Sequence, residues 1–221
     1  MCNYIREVSL RALNEAPPMG GLGSICTIDE SLLRGRRKYN RERLLRGNRI
    51  PLARNNYGRV VTGPWIFGMV CRLPDGTHDL QMFHVLRRNE ATIRAKILRY
   101  VAPGIYRSNG GLKSIPILGT LVISDQWAAY RNLRNWGNAG RYYHETVNHD
   151  QGFINAITGY HTQAIETHWG HVKTKILRPM RGTNEHLIPG HLSEYWWKKL
   201  HHATPFWDII TEISRQFPLV Q

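Results

Sequence analysis

The chain has 221 residues, and its 42% hydrophobic content is near the globular average, which argues against wholesale disorder. Lysine plus arginine number 30 against 16 acids, a formal net charge of +14, so a polyanion, above all nucleic acid, is the natural partner. No apolar run approaches about 18 residues, and Met1 to Asn14 mixes Arg6, Glu7 and Arg11 into its apolar positions, which argues against a membrane-spanning helix and a secretory leader.

The predicted elements alternate between helix and strand. Residues 4–15 space Tyr4, Ile5, Val8, Ala12 and Leu13 along one helical face, and Pro17, Pro18, Gly20, Gly21 and Gly23 end that helix. Residues 24–29 are β-branched and predict a strand with Asp29 at its C-terminal end. Residues 34–59 carry ten cations against the single acid Glu42, a local charge of +9. Nine of the ten are arginine, whose planar fork matches phosphate. A solvated loop is the plain reading of such a run. Mutual repulsion of ten cations favours phosphate-backbone binding over it.

Residues 65–86 predict a hairpin about the turn at Pro74-Asp75-Gly76-Thr77. A helix over 91–101 follows, with Ile93, Ile97, Leu98 and Val101 inward and Pro103 stopping it. Residues 105–119 read as loop. Residues 120–125 are a continuous apolar strand ending in Asp125, and 126–136 predict a helix. Residues 144–148 predict a fifth strand and 160–176 a longer helix. Residues 183–221 predict two further helical segments split by Pro205. The order describes a mixed α/β domain without internal repeats.

The acids carry the chemistry. Asp29 and Asp125 each close an apolar strand, where α/β sheets bind ligands. Packing explains such acids poorly, although an N-cap role is a fair alternative for Asp125. On the 160–176 helix, Ile165, Trp169, Val172 and Ile176 form the inward stripe, while Gln163, Glu166, Gly170 and Lys173 share a neighbouring one. Glu166 there is either an ordinary surface acid or the third member of a cluster. Three converging carboxylates raise one another's pKa unless a cation joins them. The hard cations Mg²⁺ or Mn²⁺ suit such oxygen ligands, and a pair of these ions serves phosphoryl transfer. Glu30 follows Asp29 directly, so in a strand it points to the opposite face and stays outside this group.

Five blocks of this sequence resemble those of the ISXO-like DDE transposases, insertion-sequence enzymes whose eukaryotic relatives are the Merlin elements. They are Thr27-Ile28-Asp29-Glu30-Ser31 with Arg36-Arg37-Lys38-Tyr39-Asn40-Arg41, then Trp65-Ile66-Phe67-Gly68, then Ser124-Asp125-Gln126-Trp127-Ala128-Ala129-Tyr130, then Val147-Asn148-His149, then Gly159 through Trp169. They occur in the family's order across residues 25–199. The resemblance implies an RNase H-like fold over residues 24–182, with a helical lead-in at 1–23, a basic insertion at 34–63 and a helical C-terminal extension at 183–221. It implies Asp29, Asp125 and Glu166 as the catalytic, metal-binding triad with Mg²⁺ or Mn²⁺. The charge run and the stripe shared with Glu166 mark Arg36, Arg37, Lys38, Arg41 and Lys173 for DNA phosphates, and His149, His161 and Gln163 are candidates to line the cleft.

Double-stranded DNA, as transposon ends and target, is then the partner, with a homodimer acting on paired ends. No membrane and no nucleotide cofactor are expected, and the location is nuclear in a eukaryote or cytoplasmic otherwise.

Some features depart from the family pattern. Forty residues separate Asp125 from Glu166, a slightly long interval, and 44–63 and 105–119 read as insertions. Gln163 competes with Glu166 for the third site position, and Glu166 is preferred because a carboxylate is the better Mg²⁺ ligand. No zinc ribbon or helix-turn-helix precedes the first block. A catalytically degenerate or domesticated DNA-binding protein is therefore the alternative expectation.

Histidines 144, 149, 161, 168 and 171 invite a zinc reading, but no matching Cys/His spacing accompanies them. Cys2, Cys26 and Cys71 are widely spaced and fit a reducing compartment. Trp196-Trp197 before Lys198-Lys199 could stack on bases, but helix packing is the stronger reading.

Overall fold

The computed structural model describes residues 2–33, 64–103, 119–136, 142–148, 161–177 and 183–218. Five strands form one mixed sheet: β1 (Ile25–Leu32), β2 (Trp65–Arg72), β3 (His78–Val85), β4 (Leu121–Asp125) and β5 (Tyr143–Val147), in the spatial order β3-β2-β1-β4-β5. β2 is antiparallel to both β1 and β3, while β4 runs parallel to β1 and β5. The β2–β3 turn places Gly76 at φ +84°, a conformation that suits glycine, and the Asp75 Oδ1 accepts the Thr77 N–H at 2.9 Å.

Helices cover both faces. They are α1 (Cys2–Glu15), α2 (Glu90–Tyr100), α3 (Gln163–Leu177), α4 (Ile188–Leu200) and α5 (Pro205–Gln216). Strand alternation sorts the core into two layers. Cys26, Ile28, Phe67, Met69, Phe83 and Val122 pack with α1, α2 and the residues around Tyr130 and Trp136. On the opposite face, Ile66, Val70, Leu80 and Met82 pack with Ile165, Trp169, Val172 and Ile176 of α3. Full burial of such a side chain contributes about 1.5–3 kcal/mol, so this stripe is what holds α3 on the sheet. α4 joins the layers, with Leu192 and Tyr195 in one and Trp196 and Trp197 in the other.

Several sequence expectations change. Asp29 does not end its strand: β1 continues to Leu32, with Asp29 paired to Gly68 and Ser31 to Ile66 on β2. The parallel ladder with β4 does stop earlier, at Thr27↔Ile123, so Asp29 lies just past it. The helix expected over 126–136 is two short 3₁₀ turns, Ala128–Tyr130 and Leu133–Asn135. Leu98 faces outward at 40% exposure, and Tyr100 takes the inward position by stacking on Phe83 with ring centroids 4.5 Å apart. Cys26 and Cys71, distant in sequence, are register partners and are buried free thiols. Trp196 and Trp197 are buried, which leaves no face open to stack on bases.

Candidate functional site

Asp29 projects from β1 toward α3. Its Oδ2 accepts a hydrogen bond from the Trp169 indole Nε1–H at 2.8 Å. Burial pushes the carboxyl up to about 6, although the Trp169 and Glu30 N–H groups oppose the shift. The negative charges of Asp125 and Glu166 add smaller contributions to the rise.

Asp125 ends β4, and its Oδ1 accepts the backbone N–H of Trp127 at 3.0 Å. It caps no α-helix, because only 3₁₀ turns follow. Glu166 lies in the first turn of α3 and accepts the Thr162 hydroxyl on Oε1 at 2.7 Å. One oxygen of each acid is thus tied to a protein donor, which fixes its orientation. Lys173, two turns beyond Glu166, is half-buried. Burial lowers its ammonium pKa, and the nearby Asp29 charge opposes that shift.

Asp29, Asp125 and Glu166 thus come from β1, β4 and α3, but among the described residues no three His, Cys, Asp or Glu side chains are grouped to hold one metal ion. The donors are all hard carboxylate oxygens, the chemistry that Mg²⁺ and Mn²⁺ take. Mg²⁺ usually binds through one or two carboxylates plus substrate phosphates, so an open carboxylate group fits it.

Glu30 takes the other face, as strand alternation predicts. Its side chain has no exposed surface; Tyr130 donates its hydroxyl to Oε1, and Arg88 Nε donates to Oε2 at 2.9 Å. Burial drives this carboxyl up to about 7 against both donors. The Arg88 guanidinium lies 4.7 Å from the Trp65 ring centroid and 4.1 Å from that of Trp127. This cluster ties β1 to the turn after β4 and so anchors the backbone that carries Asp125.

Beside Asp125 an open cleft of about 390 Å³ is lined by Gln126, Arg131, Arg134, His144 and Glu145 among others. Arg134 donates twice to the His144 carbonyl, at 3.0 and 2.6 Å. The His144 imidazole bonds Ser124 Oγ at 2.8 Å, and burial holds its pKa down near 4. His168 has a similar lowered value near 4 from burial, with Nδ1 2.8 Å from the Tyr195 hydroxyl.

The other expected site residues divide into two groups. His161 and Gln163 are exposed at the start of α3, while Glu166 in the same stretch is half-buried. Arg36, Arg37, Lys38, Arg41 and His149 lie outside the described residues. Sequence reasoning missed Trp169, Arg88 and Tyr130 as partners of the acids. A signal existed for Arg88, since a carboxylate aimed into a core needs a cation or donors.

Comparison with protein-family models, curated proteins and solved structures finds no match to this chain. Among the described residues, no helix is long and apolar enough to cross a membrane.

Proposed function

We propose that this chain is the RNase H-like catalytic domain of a DDE-type DNA transposase, cleaving and joining DNA strands. The observation that carries the reading is that Asp29, Asp125 and Glu166 arise from β1, β4 and α3, with the charges of the last two felt at Asp29, inside a chain of net charge +14. The sequence resemblance points to the same three residues. Asp29 and Asp125 would hold the divalent ions, with Glu166 as third ligand. Mg²⁺ or Mn²⁺ bound there supplies Lewis acidity to the attacking and leaving oxygens of phosphoryl transfer.

The protein's own part is positioning. Trp127 N–H and Thr162 hold Asp125 and Glu166 in fixed orientations. Lys173 supplies a cation for a phosphate on the Asp29 side, and the Arg-rich segment supplies sequence-independent grip on the backbone. Double-stranded DNA is the substrate, and binding weakens steeply with salt.

The test is cleavage of DNA in Mg²⁺ by the parent and by Asp125→Ala. Cleavage by the parent, reduced at least about a hundredfold in the variant, supports the assignment. Equal cleavage by both removes Asp125 from the site, and an inert parent removes catalysis.

A second reading is a transposase-derived DNA-binding protein without turnover. The absence of a closed three-ligand group among the described residues favours it. It predicts salt-sensitive DNA binding with no metal-stimulated nicking.

A further inference from the structure

Trp169 does more than fill the core. Its ring packs in the layer between α3 and β2, and its indole N–H reaches across to Asp29. That reach depends on Gly68, the register partner of Asp29 on β2. A Cβ at Gly68 would lie 2.4 Å from Trp169 Cη2, 2.7 Å from Cζ2 and 2.8 Å from Ile165 Cδ1. Those contacts are far inside van der Waals range, and the ring is held on its other sides by a packed layer. With any side chain at 68, the indole ring and the end of Ile165 must shift from these positions.

We propose that Trp169 is the positioning residue of the acidic site. Its indole N–H aims the Asp29 carboxylate, its ring sets the separation of β1 from the helix bearing Glu166, and Gly68 is the clearance that makes both possible. Glu166 and Trp169 sit three residues apart on α3, so one helix placement fixes the third acid and the donor to the first. The consequence for metal binding rests on the reading of the acids as an ion site; the orientation of Asp29 by Trp169 does not.

The test has two arms. In the first, exchange of the Trp169 indole N–H with water is followed by NMR on ¹⁵N-labelled protein, without metal. The parent should protect this proton, and Asp29→Ala, which leaves the tryptophan in place, should speed its exchange at least about tenfold. Unchanged exchange overturns the proposal whatever the protein's function.

In the second arm, Mn²⁺ affinity is measured by calorimetry. Trp169→Phe keeps an aromatic ring but lacks the N–H, and should weaken Mn²⁺ about 10–100-fold, the usual effect of losing a partner that orients a ligand. Gly68→Ala should weaken it similarly and also speed indole exchange. The double variant should lose little more than the worse single one, because Phe lacks the Cη2 and Cζ2 atoms that the new methyl strikes, leaving only the contact with the flexible end of Ile165.

Undiminished Mn²⁺ affinity in a folded Trp169→Phe overturns the positioning role. A parent that binds no Mn²⁺ overturns the ion-site reading instead, while the exchange arm still decides the Asp29 contact.

Discussion

Asp29 and Glu30 are neighbours in sequence and opposites in setting. Both are carboxyls on β1, Glu30 buried and Asp29 half-buried, and desolvation raises both, to about 7 and about 6. Glu30 meets a guanidinium and a phenol in a closed cluster roofed by two indoles. Asp29 meets a neutral indole N–H and two further acids, and no Arg or Lys forms an ion pair with it among the described residues. One face has supplied its own countercharge and serves the fold. The other holds unneutralised negative charge beside a half-buried Lys173, an arrangement that costs stability and suits a cation from outside.

The comparison breaks if the two acids respond alike to substitution. The largest effect is expected from Glu30→Ala, which strands Arg88 and Tyr130. Urea unfolding should show a loss of about 3 kcal/mol, moderated because Arg88 reaches solvent at 32% exposure. Gly68→Ala should cost about 1–3 kcal/mol by overpacking the Trp169 ring.

Asp29→Asn should act in the opposite direction, gaining about 1–2 kcal/mol at pH 7 by removing a desolvated charge that lies near two other acids. Its sign follows from the raised pKa. The wild-type contribution is intact below about 4, where Asp29 is protonated in both states, and is lost as pH rises through about 6. The gain of Asp29→Asn should therefore vanish near pH 4 and level off above pH 7. A constant gain across this range would place its origin in packing instead. Smallest is Glu145→Ala, which breaks an ion pair whose partners are 64% and 42% exposed and should shift stability by less than about 0.5 kcal/mol.

Much of this contrast was legible in the sequence. Strand alternation was enough to put the adjacent Asp29 and Glu30 on opposite faces. The stripe of Ile165, Trp169, Val172 and Ile176 marked the inward side of α3 and left Glu166 on the flank. What the sequence hid depends on contacts between distant segments. Pairing of Ser31 with Ile66 carries β1 past Asp29, so an expected strand end became a strand middle. The Asp125 carboxylate claims the Trp127 N–H, Tyr130 turns inward to Glu30, and the expected helix gives way to 3₁₀ turns. The indole N–H of Trp169 was hidden for a different reason: helical periodicity assigns a residue to a face but says nothing of where its one polar atom lands.

The most direct measurement is a Mn²⁺ titration of three proteins side by side: the parent, Asp29→Asn and Glu30→Gln, the last retaining a hydrogen-bonding side chain for Tyr130. The account predicts saturable binding by the parent and by Glu30→Gln, and its loss in Asp29→Asn. Binding that survives Asp29→Asn, or a parent that binds no Mn²⁺, would contradict it.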